Sequence, residues 1–419
     1  MLPIVVLPSQ LKVISPAAPG RPPSPAPGSW MKGDRQFIAL VSLSHAIQHV
    51  YAGILPLTYP LVVTEYHISF ATLGVILGVS RFLGGALQGA AGVFASTSAR
   101  AMLGGQNVLL GVAAIGAGLA PNFPLFGAAN IAGSVAGAPQ HPVGSAALSQ
   151  RFPQRLATVL SWHNTGGGLG TAVVPLLASA VIATWGWRTA LVVFGVPISL
   201  AGIGLLLAMR APSPARPAAA STRAPRTSLR QLLLRRGPVL IIASGTIAAA
   251  GRGLGVLSVY VPSYLAKGVG LAQLEVGAIV TVMAIGGLVG PIAMGTLADR
   301  FGRRRIISMS YIGGAAALGA FGLLVHSPVL LVIDALVVGL LAYAESPLLQ
   351  SIFADQIDRE AQQGAFGVYF MIAYGAGSIW VIALGAVIDS FGFTPAFLVM
   401  AAAFVAAAIM LTFVTYRPA

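Results

Sequence analysis

The feature that most constrains this chain is a series of apolar stretches, each about 20 residues long and nearly free of charge. Of the 419 residues, 56% are hydrophobic and only 8% are charged, whereas a soluble domain usually carries about 25% charged residues. About 20 apolar residues in a helix cross the hydrocarbon core of a bilayer. We therefore predict an all-α membrane protein. The same composition excludes most soluble enzymes and nucleic-acid-binding modules, and the absence of cysteine excludes disulfide scaffolds.

Twelve apolar stretches can be placed along the chain. The predicted spans are 36–61, 71–95, 102–120, 124–148, 155–182, 188–209, 238–261, 274–297, 305–325, 328–352, 365–388 and 393–415. A linker rich in Pro, Ala, Ser and Arg at 210–237 separates two stretches of similar length, 36–209 and 238–415, and such near-equal halves indicate a duplicated six-helix unit. The Pro-rich residues 1–35 are predicted to be a disordered tail, and 416–419 form a short C-terminal tail.

The basic residues predict the orientation of the chain. The net charge is +14, but Lys and Arg are distributed unevenly between the loops. Twenty of them fall on the side that holds both termini, and only Arg188 and Lys267 fall on the other. Because cytoplasmic loops are enriched in Lys and Arg, we expect both termini in the cytoplasm and the chain in a bacterial inner membrane. The basicity is thus a topology signal, and no nucleic-acid partner is expected.

A short loop between the eighth and ninth spans carries the most specific motif. Its sequence from Gly295 to Arg305 is GTLADRFGRRR. A glycine at 295 permits close helix packing, Gly302 permits a tight turn, and Asp299 can pair with Arg or cap a neighbouring helix. The residues that we assign to this gating motif are Gly295, Asp299, Arg300, Gly302, Arg303 and Arg304. The alternative is an ordinary positively charged loop.

This loop resembles the signature of the major facilitator superfamily, and the resemblance covers residues 36 to 415. At the equivalent point of the first half, Ser96, Thr97 and Ala99 occupy the Asp, Arg and Gly positions of that signature. The resemblance implies two pseudo-symmetric six-helix bundles that work by alternating access. It also implies a central cavity lined by spans 1, 2, 4 and 5 of the first half and 7, 8, 10 and 11 of the second.

Further short motifs resemble the fosmidomycin-resistance branch of the superfamily. They are Ser42-Leu-Ser-His45 and Tyr59-Pro60-Leu61 in the first span, His141-Pro142 in the fourth, and the Gly-rich Asn164 to Gly170 with Pro175 in the fifth. Where drug/proton antiporters often carry Gly-Pro in the fifth span, this chain has Val174-Pro175.

Polar and ionisable side chains within the spans are the candidates for the transport chemistry, because such groups are costly in a bilayer and usually face a cavity or each other. We assign to substrate binding Arg81, His45, His49, His163, Asn164, Arg252 and Tyr260. We assign to proton coupling Glu345, Asp334 and His141. Arg81 lies at mid-depth and offers a planar fork suited to carboxylate, phosphate or phosphonate; the alternative is a structural Arg bonded to helix-end carbonyls.

Three of these assignments carry explicit alternatives. His45 and His49 share one face of a helix and donate to an anion or accept a proton, although they also fit a packing role. Their spacing fits two metal ligands as well, but no carboxylate or Cys completes a first shell nearby in sequence, so no metal and no cofactor is predicted. Arg252 and Asp334 lie at matching heights of about 21 Å from the cytoplasmic face, which predicts a salt bridge. Glu345 is either a proton-coupling carboxyl or a gate residue exposed to cytoplasmic water.

Together these observations predict a secondary active transporter, not an enzyme, that moves a small organic anion and is coupled to protons. Four His and two Arg face only two acids within the spans, which makes the interior cationic. The expected partners are a small anionic substrate, protons and the lipid bilayer, and the protein is expected to be monomeric. The alternatives are a drug/proton antiporter exporting neutral or cationic compounds, a non-transporting membrane sensor, and an intramembrane oxidoreductase that uses the His pair.

Overall fold

The computed structural model describes residues 32–94, 99–209, 235–324, 326–357 and 362–414, and they are almost entirely helical. The α-helices are Lys32–Glu65, Phe70–Phe94, Ala99–Leu119, Phe123–Gly137, Gln140–Arg151, Leu156–Ala208, Arg236–Ala248, Ser258–Ser263, Gln273–Phe301, Arg303–Leu323, Pro328–Ala342, Glu345–Asp355, Gln362–Phe391 and Phe393–Thr412. The predicted tails, most of the 210–237 linker, and Ser96 and Thr97 of the first-half loop lie outside the described residues.

These helices form twelve spans, numbered 1 to 12 in chain order. Ten helical segments of the described chain are long and apolar enough to cross a membrane. One of them, Thr158–Ala208, holds spans 5 and 6, because Gly186 interrupts the helix with a φ of 81°, which favours glycine. Span 4 supplies the twelfth and is interrupted between Gly137 and Gln140. The prediction of an all-α membrane protein with twelve spans is confirmed.

Two spans of the second half are also interrupted. Span 7 runs from Arg236 to Val269 and contains a 3₁₀ turn, Ala249–Gly251, followed by a π turn, Gly253–Leu257. Span 10 consists of Pro328–Ala342 and Glu345–Asp355. Irregular backbone at membrane depth is tolerated where it is buried in protein or lines a cavity. The interruptions therefore indicate where a site lies.

The N-terminal half (spans 1–6) and the C-terminal half (spans 7–12) meet along a few pairs of spans. Span 2 packs against span 11, span 5 against span 8, and span 1 against span 7. We call the membrane face that holds residues 32, 209, 235 and 414 the terminal face, and the other the opposite face. The halves are joined at the opposite face, where the Lys267 ammonium donates to the Thr64 hydroxyl and the ring of Phe70 contacts those of Tyr260 and Phe393.

The tightest junction between the halves is the crossing of span 2 with span 11. Both carboxylate oxygens of Asp389 accept hydrogen bonds from the first turn of span 2, from the backbone N–H of Phe70 at 2.9 Å and of Ala71 at 2.7 Å. A carboxylate there also complements the positive end of the helix dipole. One turn further on, Gly74 lies against the carbonyl oxygen of Val381. These contacts close the opposite face.

Candidate functional site

A cavity of about 420 Å³ lies between the two halves. Its polar lining residues are Gln48, His49, Tyr51, Tyr59, Ser80, Arg81, Gln88, Asn130, Ser134, His141, Thr171, Arg252, Ser258 and Tyr343. Two guanidinium groups and two imidazoles are among them. Within the described ranges, no carboxylate lines the cavity, so its wall is cationic or neutral throughout.

Arg252 reaches the cavity because span 7 is broken at this position. The residue has an extended backbone (φ −65°, ψ 131°) between the 3₁₀ turn and the π turn. Gly253 follows it, and the ring of Tyr343 packs against the Gly253 backbone where a Cβ would otherwise stand. The break and the glycine together bring span 7 close to span 10 beside the cavity.

The partner of Arg252 is Glu345. The Arg252 Nε donates to Glu345 Oε2 at 2.8 Å and Nη2 donates to Oε1 at 3.2 Å, which is a bidentate ion pair. Nη2 also donates to the carbonyl of Gly245 at 2.9 Å, and the Tyr311 hydroxyl donates to Glu345 Oε1 at 3.2 Å. The carboxylate is fully buried and the guanidinium side chain is 11% exposed. The pair is therefore held behind the cavity wall, with only Arg252 at its surface.

The predicted salt bridge between Arg252 and Asp334 is wrong. The prediction compared the heights of the two Cα atoms, but the Arg252 side chain is long and leaves the backbone at the break of span 7. The Arg252 guanidinium accordingly reaches back to Gly245, seven residues earlier, and so lies at the level of Glu345. Asp334 is half-buried elsewhere on span 10, and its Oδ2 has no hydrogen-bond partner among the described residues. The alternative of Glu345 as a water-exposed gate residue is also wrong for this conformation, because the side chain is 0% exposed.

Four histidines form a cluster on one side of the cavity. His45 and His49 of span 1 meet at 3.1 Å between their Nε2 atoms. The ring of His141 from span 4 lies 5.0 Å from that of His45, and the ring of His163 from span 5 stacks on His45 at 4.2 Å. Only His49 and His141 line the cavity, while His45 and His163 are buried behind them.

Arg81 of span 2 lies half-buried in the cavity wall. It interacts electrostatically with Tyr59 and Tyr260. Tyr59 lines the cavity, whereas Tyr260 is buried and donates from its hydroxyl to the carbonyl of Val381 at the junction of the halves. Asn164 is exposed outside the cavity lining. The structure thus brings Arg81, His49, His141 and Arg252 to one cavity, and places Tyr260 and Asn164 elsewhere.

The gating motif lies at the terminal face. Some of its residues bond to other parts of the C-terminal half, and others are exposed. Arg303 donates to Asp355 at 2.6 Å, and Arg304 donates to the carbonyls of Thr412 and Val414, so both hold the C-terminal half together. Asp299 and Arg300 are exposed, and nothing described lies within 4 Å of a Cβ built on Gly295 or Gly302. The close helix packing predicted at Gly295 is therefore wrong for this conformation. Gly302 has a φ of 92°, as the predicted tight turn requires.

Several cavity residues were left out of the site assigned from the sequence, because that assignment favoured ionisable side chains. Tyr51, Tyr59, Asn130, Thr171 and Tyr343 line the cavity, yet tyrosines and small polar residues are common at packed interfaces of membrane helices. One signal was present: Tyr51 and Tyr59 fall on the histidine-bearing span. Asp389, which joins the halves, lies at the end of a span and resembles an ordinary loop residue in the sequence.

A cavity between two six-helix halves, closed at one face and lined by polar side chains, defines a membrane transporter. The family sequence model of the Major Facilitator Superfamily matches residues 41–264 and 245–419 of this chain. The chain belongs to this superfamily, as its loop motif predicted, and its members are secondary transporters and not enzymes.

Curated relatives are of similar length and low identity. The chain is 25% identical over 382 residues to the fosmidomycin resistance protein of Escherichia coli (strain K12), covering 88% of this chain and 91% of the relative. It is 23% identical over 378 residues to the uncharacterized MFS-type transporter YfnC of Bacillus subtilis (strain 168), covering 87% and 89%. The predicted resemblance to the fosmidomycin-resistance branch is confirmed by this 25% identity over 382 residues.

Solved structures share the fold. The nucleoside transporter NupG superposes with a TM-score of 0.76 at 15% identity, over 91% of this chain and 99% of that one. The D-xylose-proton symporter superposes with a TM-score of 0.73 at 16% identity, over 91% and 98%. At these identities the superpositions show the fold alone.

Proposed function

We propose that this protein moves a small organic anion, a carboxylate or phosphonate, across a bacterial inner membrane by alternating access, coupled to protons. The observation that carries the proposal is the cavity lining, which has two guanidiniums, two imidazoles and no carboxylate among the described residues. A desolvated guanidinium binds carboxylate and phosphonate oxygens through paired hydrogen bonds. Arg81 is the first contact of the anion, and His49 and His141 line the cavity beside it.

The ion pair of Arg252 and Glu345 supports proton coupling. Glu345 holds the Arg252 guanidinium through two hydrogen bonds behind the cavity wall. A proton that binds to Glu345 cancels the carboxylate charge and frees the guanidinium for an anion in the cavity. Release of the anion restores the pair and expels the proton. Asp334, half-buried on the same span, is a second candidate carboxyl. The D-xylose-proton symporter, which shares this fold, is a proton-coupled transporter by its name.

The orientation belongs to the proposal as well. With the termini in the cytoplasm, as the loop charges indicate, the closed opposite face is periplasmic and the cavity belongs to a conformation open to the cytoplasm. The exposed Asp299 and Arg300 then lie at a cytoplasmic gate that is disengaged in this conformation.

The proposal is tested by uptake in proteoliposomes with an imposed pH gradient, using carboxylates and phosphonates against hydrophobic cations. We expect anion uptake, and we expect Arg81→Gln to reduce it about tenfold or more, because a hydrogen bond to a charged group contributes about 1.5–3 kcal/mol. The matched control is Arg188→Gln, since Arg188 pairs with Glu65 at the opposite face, outside the cavity. Uptake of cations instead, unchanged in Arg81→Gln, would support a drug antiporter and refute the anion proposal.

A second prediction concerns the closed face. Asp389→Ala removes the carboxylate that caps span 2, and loss of such a cap costs about 1 kcal/mol. The ratio of the closed to the open state of the opposite face should fall about fivefold. Distances between spin labels across that face, on a chain that has no native cysteine, measure this ratio. Ser390→Ala, at the exposed neighbouring position, is the control, and identical distance distributions in Asp389→Ala and wild type would contradict the role of the cap.

A further inference from the structure

We infer that His45, His49 and His141 form a binding site for a divalent transition-metal ion, of the kind represented by Zn²⁺ and Co²⁺, in the wall of the central cavity. One ring nitrogen from each of the three lies within 4.8 Å of the others. Imidazole nitrogen is a preferred ligand of these ions. The inference stands on this cluster alone and holds whether or not the transported compound is an anion.

The hydrogen bonds of the two span-1 histidines fit tautomers that bind a metal through Nε2. His45 Nδ1 lies 2.9 Å from the carbonyl oxygen of His163, which only accepts, so His45 carries its proton on Nδ1 and a lone pair on Nε2. His49 Nδ1 lies 2.7 Å from the hydroxyl oxygen of Thr171, and that hydroxyl oxygen lies 3.1 Å from the carbonyl oxygen of Gly167. When Thr171 donates to Gly167, His49 also carries its proton on Nδ1 and a lone pair on Nε2. When Thr171 donates to His49, the Nε2–H of His49 donates to His45 Nε2 instead.

The two Nε2 atoms face each other. The Nε2 atoms of His45 and His49 are 3.1 Å apart, so either a proton or a metal ion joins them. Two nitrogens that bind one tetrahedral Zn²⁺ at about 2.0–2.1 Å lie about 3.3 Å apart, so the observed separation is close to that of a metal-bound pair. Metal-binding histidines almost always donate their second N–H to a carbonyl or another oxygen acceptor, and the carbonyl of His163 and the hydroxyl of Thr171 are such acceptors for the two Nδ1 atoms.

The third ligand comes from a different span, which is why it could not be found beside the pair in the sequence. Span 4 is interrupted just before His141, and the helix Gln140–Arg151 starts again there. His141 is exposed to the cavity, and its ring lies 5.0 Å from that of His45 and 6.4 Å from that of His49. Three histidines from the wall leave at least one coordination position directed into the cavity for water or a transported ligand. This is the open arrangement typical of a metal that exchanges ligands.

Titration of the purified protein with Co²⁺ tests the site, because Co²⁺ bound by histidines gives visible absorption bands. The protein should carry an affinity tag without histidines. We expect one Co²⁺ per chain in wild type, displaced by Zn²⁺, and binding at least about tenfold weaker in His49→Gln and in His141→Gln. Thr171→Val keeps the shape of the side chain but removes the acceptor of His49 Nδ1–H, and should weaken binding about 10- to 100-fold.

One histidine variant serves as the control. His326→Gln replaces an exposed histidine near the opposite face and should bind Co²⁺ like wild type. Each variant is used only if it elutes as a single species in detergent. Wild-type binding no tighter than that of the His45→Gln/His49→Gln/His141→Gln variant would overturn the site and leave a proton shared between the two Nε2 atoms. Anion uptake by that triple variant would separate this result from the proposed transport function.

Discussion

Glu345→Ala should lower the free energy of unfolding by about 3–5 kcal/mol, which is the usual cost of leaving one charge of a buried ion pair without its partner. The carboxylate accepts two hydrogen bonds from Arg252 and one from Tyr311 and is fully buried. The hydrogen bond from the Arg252 guanidinium to the carbonyl of Gly245 remains, but the charge that balances the guanidinium is lost. The Tyr311 hydroxyl also loses the carboxylate to which it donates.

The double variant Arg252→Met/Glu345→Leu separates loss of charge balance from loss of packing. Replacing both members of a buried pair by apolar residues of similar volume is often neutral, so the double variant should recover most of the lost stability. Denaturant unfolding in mixed micelles, followed by tryptophan fluorescence, measures the four members of the cycle. If the double variant is as unstable as Glu345→Ala, the loss comes from packing, and the pair has no charge-specific role in the fold.

The fold could be predicted because the bilayer imposes it. Length and apolarity fix a spanning helix, and they placed twelve spans near the observed bounds, from Lys32–Glu65 to Phe393–Thr412. The interruptions of spans 7 and 10 were not predicted, since Gly253 and the Tyr343-Ala344 break lie inside stretches that are apolar enough to be taken as single continuous spans. Breaks of this kind depend on tertiary contacts, such as the Tyr343 ring on Gly253, which local sequence does not encode.

The sequence predicted which residues line the cavity better than it predicted which of them pair with each other. Arg81, His49, His141 and Arg252 were proposed from charge and depth, and they line one cavity. The partner of Arg252 was assigned wrongly because rise per residue gives the height of a Cα atom and not that of a guanidinium on a long side chain. Tyr260 has the depth of a cavity residue, but its ring is turned into the junction between the halves.

Gly385→Leu should prevent the opposite face from closing. A Cβ on Gly385 would lie 2.5 Å from the carbonyl oxygen of Phe70 across the junction of the halves, and 2.8 Å from the Tyr260 hydroxyl. Backbone cannot yield there while the first turn of span 2 is bonded to Asp389. Overpacking of this kind costs about 1–3 kcal/mol, which shifts the ratio of closed to open states about 5-fold to 150-fold. The clash with Phe70 exists only when the halves meet at this face, so it changes the equilibrium between conformations, whereas the contact with the Tyr260 hydroxyl lies within the C-terminal half and is present in both conformations.

Two pairs of spin labels on introduced cysteines measure that shift. One pair, Thr72→Cys and Phe391→Cys, spans the opposite face, and the other, Gln150→Cys and Phe301→Cys, spans the terminal face; all four positions are exposed. In Gly385→Leu the first distance should lengthen and the second should shorten, and transport should fall with them. Gly319→Leu makes the same chemical change where nothing lies within 4 Å, and should leave both distances at their wild-type values. Since alternating access requires the two faces to move in opposite directions, a longer first distance with an unchanged second one would contradict rocking of the halves as rigid bundles.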